Sequence, residues 1–167
     1  ISVVGFFFFF KINEEYDYIN NYYQFVYQAQ YEYLNENYQK AYDLLKTAEK
    51  NCPLLNQTGI YEPKILAECA VKLGKHDEAL DYIELTLKEF GTKFSYVEND
   101  SVFHELKSSK RWKKIKNNAE KYFNDYSKRV DFGLRKELNY MKKEDQRVRT
   151  NGFDAEGAKI VDSVNIE

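Results

Sequence analysis

The chain has 167 residues, 43% hydrophobic and 31% charged, with a formal net charge of -2, two Pro and seven Gly. That composition excludes a collagen-like or Pro/Gly-rich disordered chain. Two Cys exclude a disulfide-stapled miniprotein, and no apolar run approaches the ~20 residues of a membrane-spanning helix. Aromatic residues are in excess, with 15 Tyr, 12 Phe and one Trp. The small net charge hides an asymmetry. Residues 1–100 carry 9 Lys/Arg against 16 Asp/Glu, and residues 101–167 carry 16 against 11. Either the two parts attract one another, or both charges are solvated faces, or the basic part meets an anionic partner.

The chain opens on Ile1-Ser2-Val3-Val4-Gly5, followed by five Phe and Lys11. Residues 1–12 match the apolar core of a secretory signal peptide. Without a small-x-small cleavage site they can equally be the tail of an uncleaved anchor, and hence a membrane tether, or the buried start of an ordinary element. Five consecutive Phe are costly to leave in water, which favours export and a periplasmic or secreted location. Otherwise the protein is cytoplasmic. Cys52 and Cys69 are expected as two buried free thiols.

Helical periodicity dominates the remainder, and strand signals are weak. The first helix is predicted over Glu15 to Glu36, with Ile19, Tyr22, Tyr23, Val26, Ala29 and Tyr33 at spacings of three and four. The second runs from Tyr38 to Asn51 on Ala41, Leu44, Leu45 and Ala48, and Pro53 stops it. A polar loop, residues 56–59, precedes a third helix from Ile60 to Leu73, which Gly74 ends as a left-handed cap. The fourth runs from His76 to Phe90 and closes at Gly91.

These helices form two hairpins that resemble each other. Placing Ala41 on Ala79 gives a period of 38 residues and aligns Ala29 with Ala67, Leu45 with Ile83 and Tyr38 with His76. Small residues at matching places let paired helices approach closely. In this respect residues 20–91 resemble tetratricopeptide repeats. Phe25, Ala29, Tyr38, Ala41, Leu45, Ala48 and Pro53 carry the likeness in the first copy, and Leu66, Ala67, Ala70, Gly74 and Ala79 in the second. Gln28 and Glu32 stand where that family has apolar residues, and Pro63 falls in a first turn. About three units are needed to bury a repeat's faces. Asp100 to Leu106 reads as a short capped helix, and Ser108-Ser109 caps a longer one to about Ser127 with the stripe Trp112, Ile115, Ala119, Tyr122, Phe123, Tyr126. The expected fold is all-α: antiparallel helical hairpins stacked as a short tetratricopeptide-like solenoid over residues 13–128, with a C-terminal helix.

Catalytic spacing is mostly absent: no phosphate loop, HExxH or CxxC occurs, and no cofactor or metal site is expected. His76 takes a repeat position where the family packs an aromatic, so a helix-packing role is expected, and His104 is expected at the surface. The run Lys107, Lys110, Arg111, Lys113, Lys114, Lys116 falls mainly opposite the Trp112 stripe, as on any surface helix. No nucleic-acid partner is inferred from it.

On the stretch 134–149, a helical projection places Asp145 inside the stripe of Leu134, Leu138, Met141 and Val148, which predicts a buried carboxylate paired with Arg149. Leu134, Glu137, Leu138, Met141, Asp145, Gln146 and Arg149 also resemble an uncharacterised bacterial family with the motif L-x-x-E-L-x-x-M-x-x-x-D-Q-x-x-R. That resemblance implies a second domain starting in residues 129–167 and truncated here, with Glu137, Asp145, Gln146 and Arg149 as its site.

The tetratricopeptide resemblance implies a peptide groove lined by the first helix of each pair. On this register its residues are Tyr23, Val26, Gln30 and Tyr33, then Tyr61, Lys64 and Glu68, with Val71 beyond them. Tyr supplies apolar area and a polar tip at small entropy cost. The expected function is a protein or peptide interaction module of an exported bacterial protein. The alternative is the non-catalytic N-terminal part of an enzyme whose active domain begins near residue 130.

Overall fold

The computed structural model describes residues 16–57 and 59–150, and the side chains up to residue 147. The apolar run 1–12 assigned to export therefore lies outside the described residues, as does the side chain of Arg149. Among the described residues every regular element is helical. The first helix opens as a π turn, Ile19–Tyr23, and continues as α1, Gln24–Leu34. α2 (Tyr38–Asn51) and α4 (His76–Phe90) have the predicted bounds, whereas α3 (Glu62–Lys72) starts two residues later than expected. A short α5, Phe94–Glu98, went unpredicted and precedes a 3-10 helix, Ser101–Ser108. α6 spans Lys110–Ser127 and α7 Phe132–Thr150.

α1 packs on α2 and α3 on α4 as hairpins, and α2 also lies against α3. The third unit is α6 against α4, with the 3-10 helix against α3 and α6. Both predicted caps of this unit form: the Val102 N–H donates to Asp100 Oδ1 (3.0 Å) and the Trp112 N–H to Ser109 Oγ (3.1 Å). Ala29, Ala41, Ala48, Ala67, Ala70 and Ala79 are buried at the helix contacts, so the backbones meet closely. Tyr22, Leu45, Leu66, Ile83, Leu87, Phe103, Leu106, Trp112 and Ile115 fill one continuous core through all three units. Cys52 and Cys69 are free and buried, as expected, and burial pushes the Cys69 thiol up to about 12.

Glu32, the polar departure from the repeat pattern, is 6% exposed. Lys40 Nζ (2.7 Å) and Asn37 Nδ2 (2.8 Å) satisfy its carboxylate. Gly91 ends α4 at φ 64, and a Cβ there would collide with the Tyr126 ring of α6. Only Gly gives both the left-handed cap and that approach.

The second helices of the pairs, α2, α4 and α6, are joined by Tyr–carboxylate bonds. Tyr42 donates to Glu78, Tyr82 to Glu49 (2.7 Å) and Tyr122 to Glu84 (2.6 Å). Lysines cover the same rings: Lys75 over Tyr42, Lys46 over Tyr82 and Lys88 over Tyr122. The acidic and basic parts of the chain do attract one another. Arg111 pairs with Asp81 and, at 3.7 Å, Glu84; Arg129 pairs with Glu89 at 2.8 Å and Lys116 with Glu98. Such exposed pairs contribute little singly, about 0–1 kcal/mol.

Two expectations are corrected here. His76 is not packed between helices: its side chain is 49% exposed, with Nε2 3.6 Å from Glu105 Oε1. Asp145 is exposed, not buried, because no element of the repeats covers the stripe on which it lies. Leu134, Leu138 and Met141 on that stripe are more than half exposed. Residues Lys128 to Asp131 join α6 to α7, and Asp131 Oδ1 accepts the Leu134 N–H (3.0 Å) in the manner of an N-cap. No described helix is long and apolar enough to cross a membrane.

Candidate functional site

The predicted groove residues divide into three groups. Val26 has no exposed surface and belongs to the core, and Val71 is also buried. Neither can touch a partner. The sequence register put them on the groove because it locates a residue around its own helix without showing which neighbour covers that arc. Val26 is covered within the core that α1 shares with α2 and α3.

The second group forms a polar cluster joining three elements. Lys64 on α3 pairs with Glu68 one turn on, and with Asp100 Oδ2 at 2.7 Å, at the start of the 3-10 helix. Glu68 is 4% exposed. Tyr33 of α1 hydrogen-bonds to it and packs edge-on against Tyr38. Burial pushes the Glu68 carboxyl above the usual range, against the pull of Lys64 and Tyr33. Burial also acts to raise Asp100, but the bonds from Lys64 and the Val102 N–H hold it below its ordinary value. The cluster is thus a bracket between the units, with two carboxylates sharing one lysine.

The third group is open. Tyr23 is half-buried and stacks on Tyr27 with ring centroids 6.2 Å apart. Gln30 Nε2 donates to the Gly59 carbonyl at 3.4 Å, which ties α1 to the loop before α3. Tyr61, in the left-handed region at φ 58, ends that loop with 45% of its surface exposed. The structure adds three residues that sequence reasoning missed: Tyr27, Tyr31 and Leu34, all exposed on α1. A signal for them was present. From Tyr18 to Asn35 the sequence has a single charge, Glu32, in a chain that is 31% charged. Since Glu32 is buried and paired, the open face of α1 carries no charge at all.

The loop beside this face is anchored from below. The Tyr22 hydroxyl accepts the Leu55 N–H (2.8 Å) and donates to Glu62 Oε1 (3.4 Å), while Glu62 Oε2 accepts the Gln57 N–H (2.8 Å). Glu62 is fully buried, and burial raises its carboxyl above the ordinary 4.5 despite these donors. A raised carboxyl contributes stability that is complete below its unfolded value and is lost as pH rises through the folded value. Glu62→Gln should therefore gain on the wild type in melting temperature as pH is raised from below 4.5 to neutral. Parallel melting curves across that range check it; a constant difference would contradict the raised carboxyl.

The basic run lies on the 3-10 helix and α6. With Glu84 and Ile115, Lys110, Arg111 and Lys114 line a cleft of about 340 Å³ between α4 and α6. Glu137 and Gln146 lie on α7, exposed and apart from the repeat face. Among the described residues no group of three or more His, Cys, Asp or Glu is placed to hold a metal ion.

Comparison with known proteins agrees with this architecture. No curated protein and no solved structure matches the chain. Residues 15–86 match the family model described as Anaphase-promoting complex, cyclosome, subunit 3, a tetratricopeptide-like repeat family. The matched stretch covers the two hairpins apart from the end of α4, and it agrees with their tetratricopeptide-like pairing, an architecture that generally serves protein–protein interaction.

Proposed function

We propose that the repeats bind a protein or peptide segment along the open face of α1 and the adjoining Tyr61 and Lys64 of the second unit. One observation carries this reading: Tyr23, Tyr27, Tyr31 and Leu34 form an uncharged row of open or half-open apolar side chains with nothing packed over it among the described residues. Tyr side chains give large contact area, a hydroxyl for backbone carbonyls and little rotamer entropy to lose. The absence of charge favours an uncharged, partly apolar segment, since a charged one would be desolvated there without a counter-ion. The Lys64–Glu68–Asp100 bracket holds α3 and the 3-10 helix in register with that row, and so pre-organises it.

Selection from a displayed random-peptide library tests the reading. Peptides enriched on the wild type should lose at least ~10-fold in affinity on Tyr27→Ala/Tyr31→Ala, the loss of about 1.4 kcal/mol or more that central aromatic contacts commonly carry. They should bind Tyr96→Ala, an exposed Tyr on α5, unchanged. Equal binding to both variants, or no enrichment, would reject the proposed face.

A further inference from the structure

α7 is the one described helix longer than two turns that makes no broad contact with another element. It is properly begun by Asp131, so it is a formed helix, and beyond its first turn no other described element covers it. Its apolar residues Leu134, Leu138 and Met141 are 52%, 54% and 59% exposed, and they recur at spacings of four and three. That is the spacing of a heptad seam, with Leu134 and Met141 at d and Leu138 at a. The flanking positions then follow without further choice. The e positions hold Arg135 and Lys142, and the g positions hold Glu137 and Glu144. By sequence register alone the pattern continues with Val148 at d and Arg149 at e.

We infer that α7 is a parallel coiled-coil seam whose partner is a second copy of the same chain. The charge pattern selects both the partner and the direction. In a parallel pair each g residue faces the e residue five places on in the other helix, so Glu137 meets Lys142 of the second copy, twice by symmetry. In an antiparallel pair g meets g and e meets e, which sets acid against acid and base against base. Glu137 and Lys142 have no ion-pair partner within the described chain, whereas Glu144 pairs with Arg147 and Arg135 donates to the Tyr126 hydroxyl. The two charges needed across the seam are therefore the two left available. Asp145 takes the next a position, where a polar residue weakens a coiled coil while fixing its register. With that residue and so short a seam, the dimer should dissociate on dilution. It would also carry two copies of the α1 face, and it does not depend on what that face binds.

Sedimentation equilibrium of the chain, 19.9 kDa as a monomer, tests this. The wild type should show a reversible monomer–dimer equilibrium. Glu137→Lys and Lys142→Glu should each lose at least ~10-fold in self-affinity, because each sets like charges across the seam. A mixture of the two variants should recover the dimer, since every g–e contact between them is again attractive. Helix melting by circular dichroism should be unchanged in both, which shows that the repeats remain folded. A wild type that stays monomeric up to millimolar concentration overturns the inference. So does a dimer that persists in both single variants, which would place the contact elsewhere. Stronger dimerisation of Glu137→Lys alone would also overturn it, by indicating antiparallel pairing.

Discussion

Replacing Phe103 by Ala is expected to destabilise the whole repeat domain by about 3–5 kcal/mol, the range for truncating a fully buried aromatic. Phe103 has no exposed surface, although it sits on a 3-10 helix outside the two hairpins. Leu106, Trp112 and Ile115 are buried in the same core as Leu66 and Ile83. The third unit is therefore part of the cooperative core. Urea titration followed by helix content should show one transition shifted to lower denaturant. If Phe103→Ala melts only a fraction of the helix while the rest unfolds at the wild-type midpoint, the third unit is an appendage and two hairpins are stable alone. That outcome would contradict the need for about three stacked units.

Truncation of Tyr22 should be similarly costly, and here two variants divide the cost by cause. Tyr22→Ala opens a cavity and is expected to lose about 3–5 kcal/mol. Tyr22→Phe keeps the ring but removes the oxygen that accepts the Leu55 N–H and donates to Glu62. A buried donor left without a partner costs about 1–3 kcal/mol. The loss should be concentrated in the loop between α2 and α3, so amide exchange at Leu55 and Gln57 should accelerate more than at Leu45. A Tyr22→Phe protein as stable as the wild type would mean that water replaces the hydroxyl, and that the loop is not held by this bond.

Taken together, the two variants separate the ways in which the face on α1 is supported. Phe103 acts by closing the far end of the stack, and Tyr22 by fixing the loop that carries Tyr61. The binding face proposed for Tyr23, Tyr27 and Tyr31 needs both. Its side chains can be pre-organised only if α1 keeps its place against α3.

Much of this fold was legible in the residues. Alternating small and large residues at helical spacing, with Gly74 and Gly91 just past helix ends and Pro53 after another, place the boundaries of α2 and α4 to the residue. These are local effects: capping, propensity and the absence of a Cβ act within a turn or two. The Asp100 and Ser109 caps were legible for the same reason. The short α5 was not. Five residues give too little period to read, and Val97 is held by burial in the core more than by its own propensity.

The open face was decided by tertiary structure. Val26 and Tyr27 are neighbours on α1, yet one is entirely covered and the other is 56% exposed. Periodicity fixes the angle between them but not which angle meets another helix. Glu68 shows the same limit: its place on α3 was read correctly, but Asp100 and Tyr33, brought in from elements 32 and 35 residues away, turned a groove carboxylate into a buried bracket. Asp145 shows the converse. An apolar stripe in the sequence implies a covering surface, and among the described residues no element covers that of α7. The sequence alone therefore determined most of the helices, their pairing and the all-α fold class. Which faces are shut and which are open, including the exposed Leu134, Leu138 and Met141 of α7, were decided only by long-range packing, because burial is a property of two surfaces and a single helix encodes one.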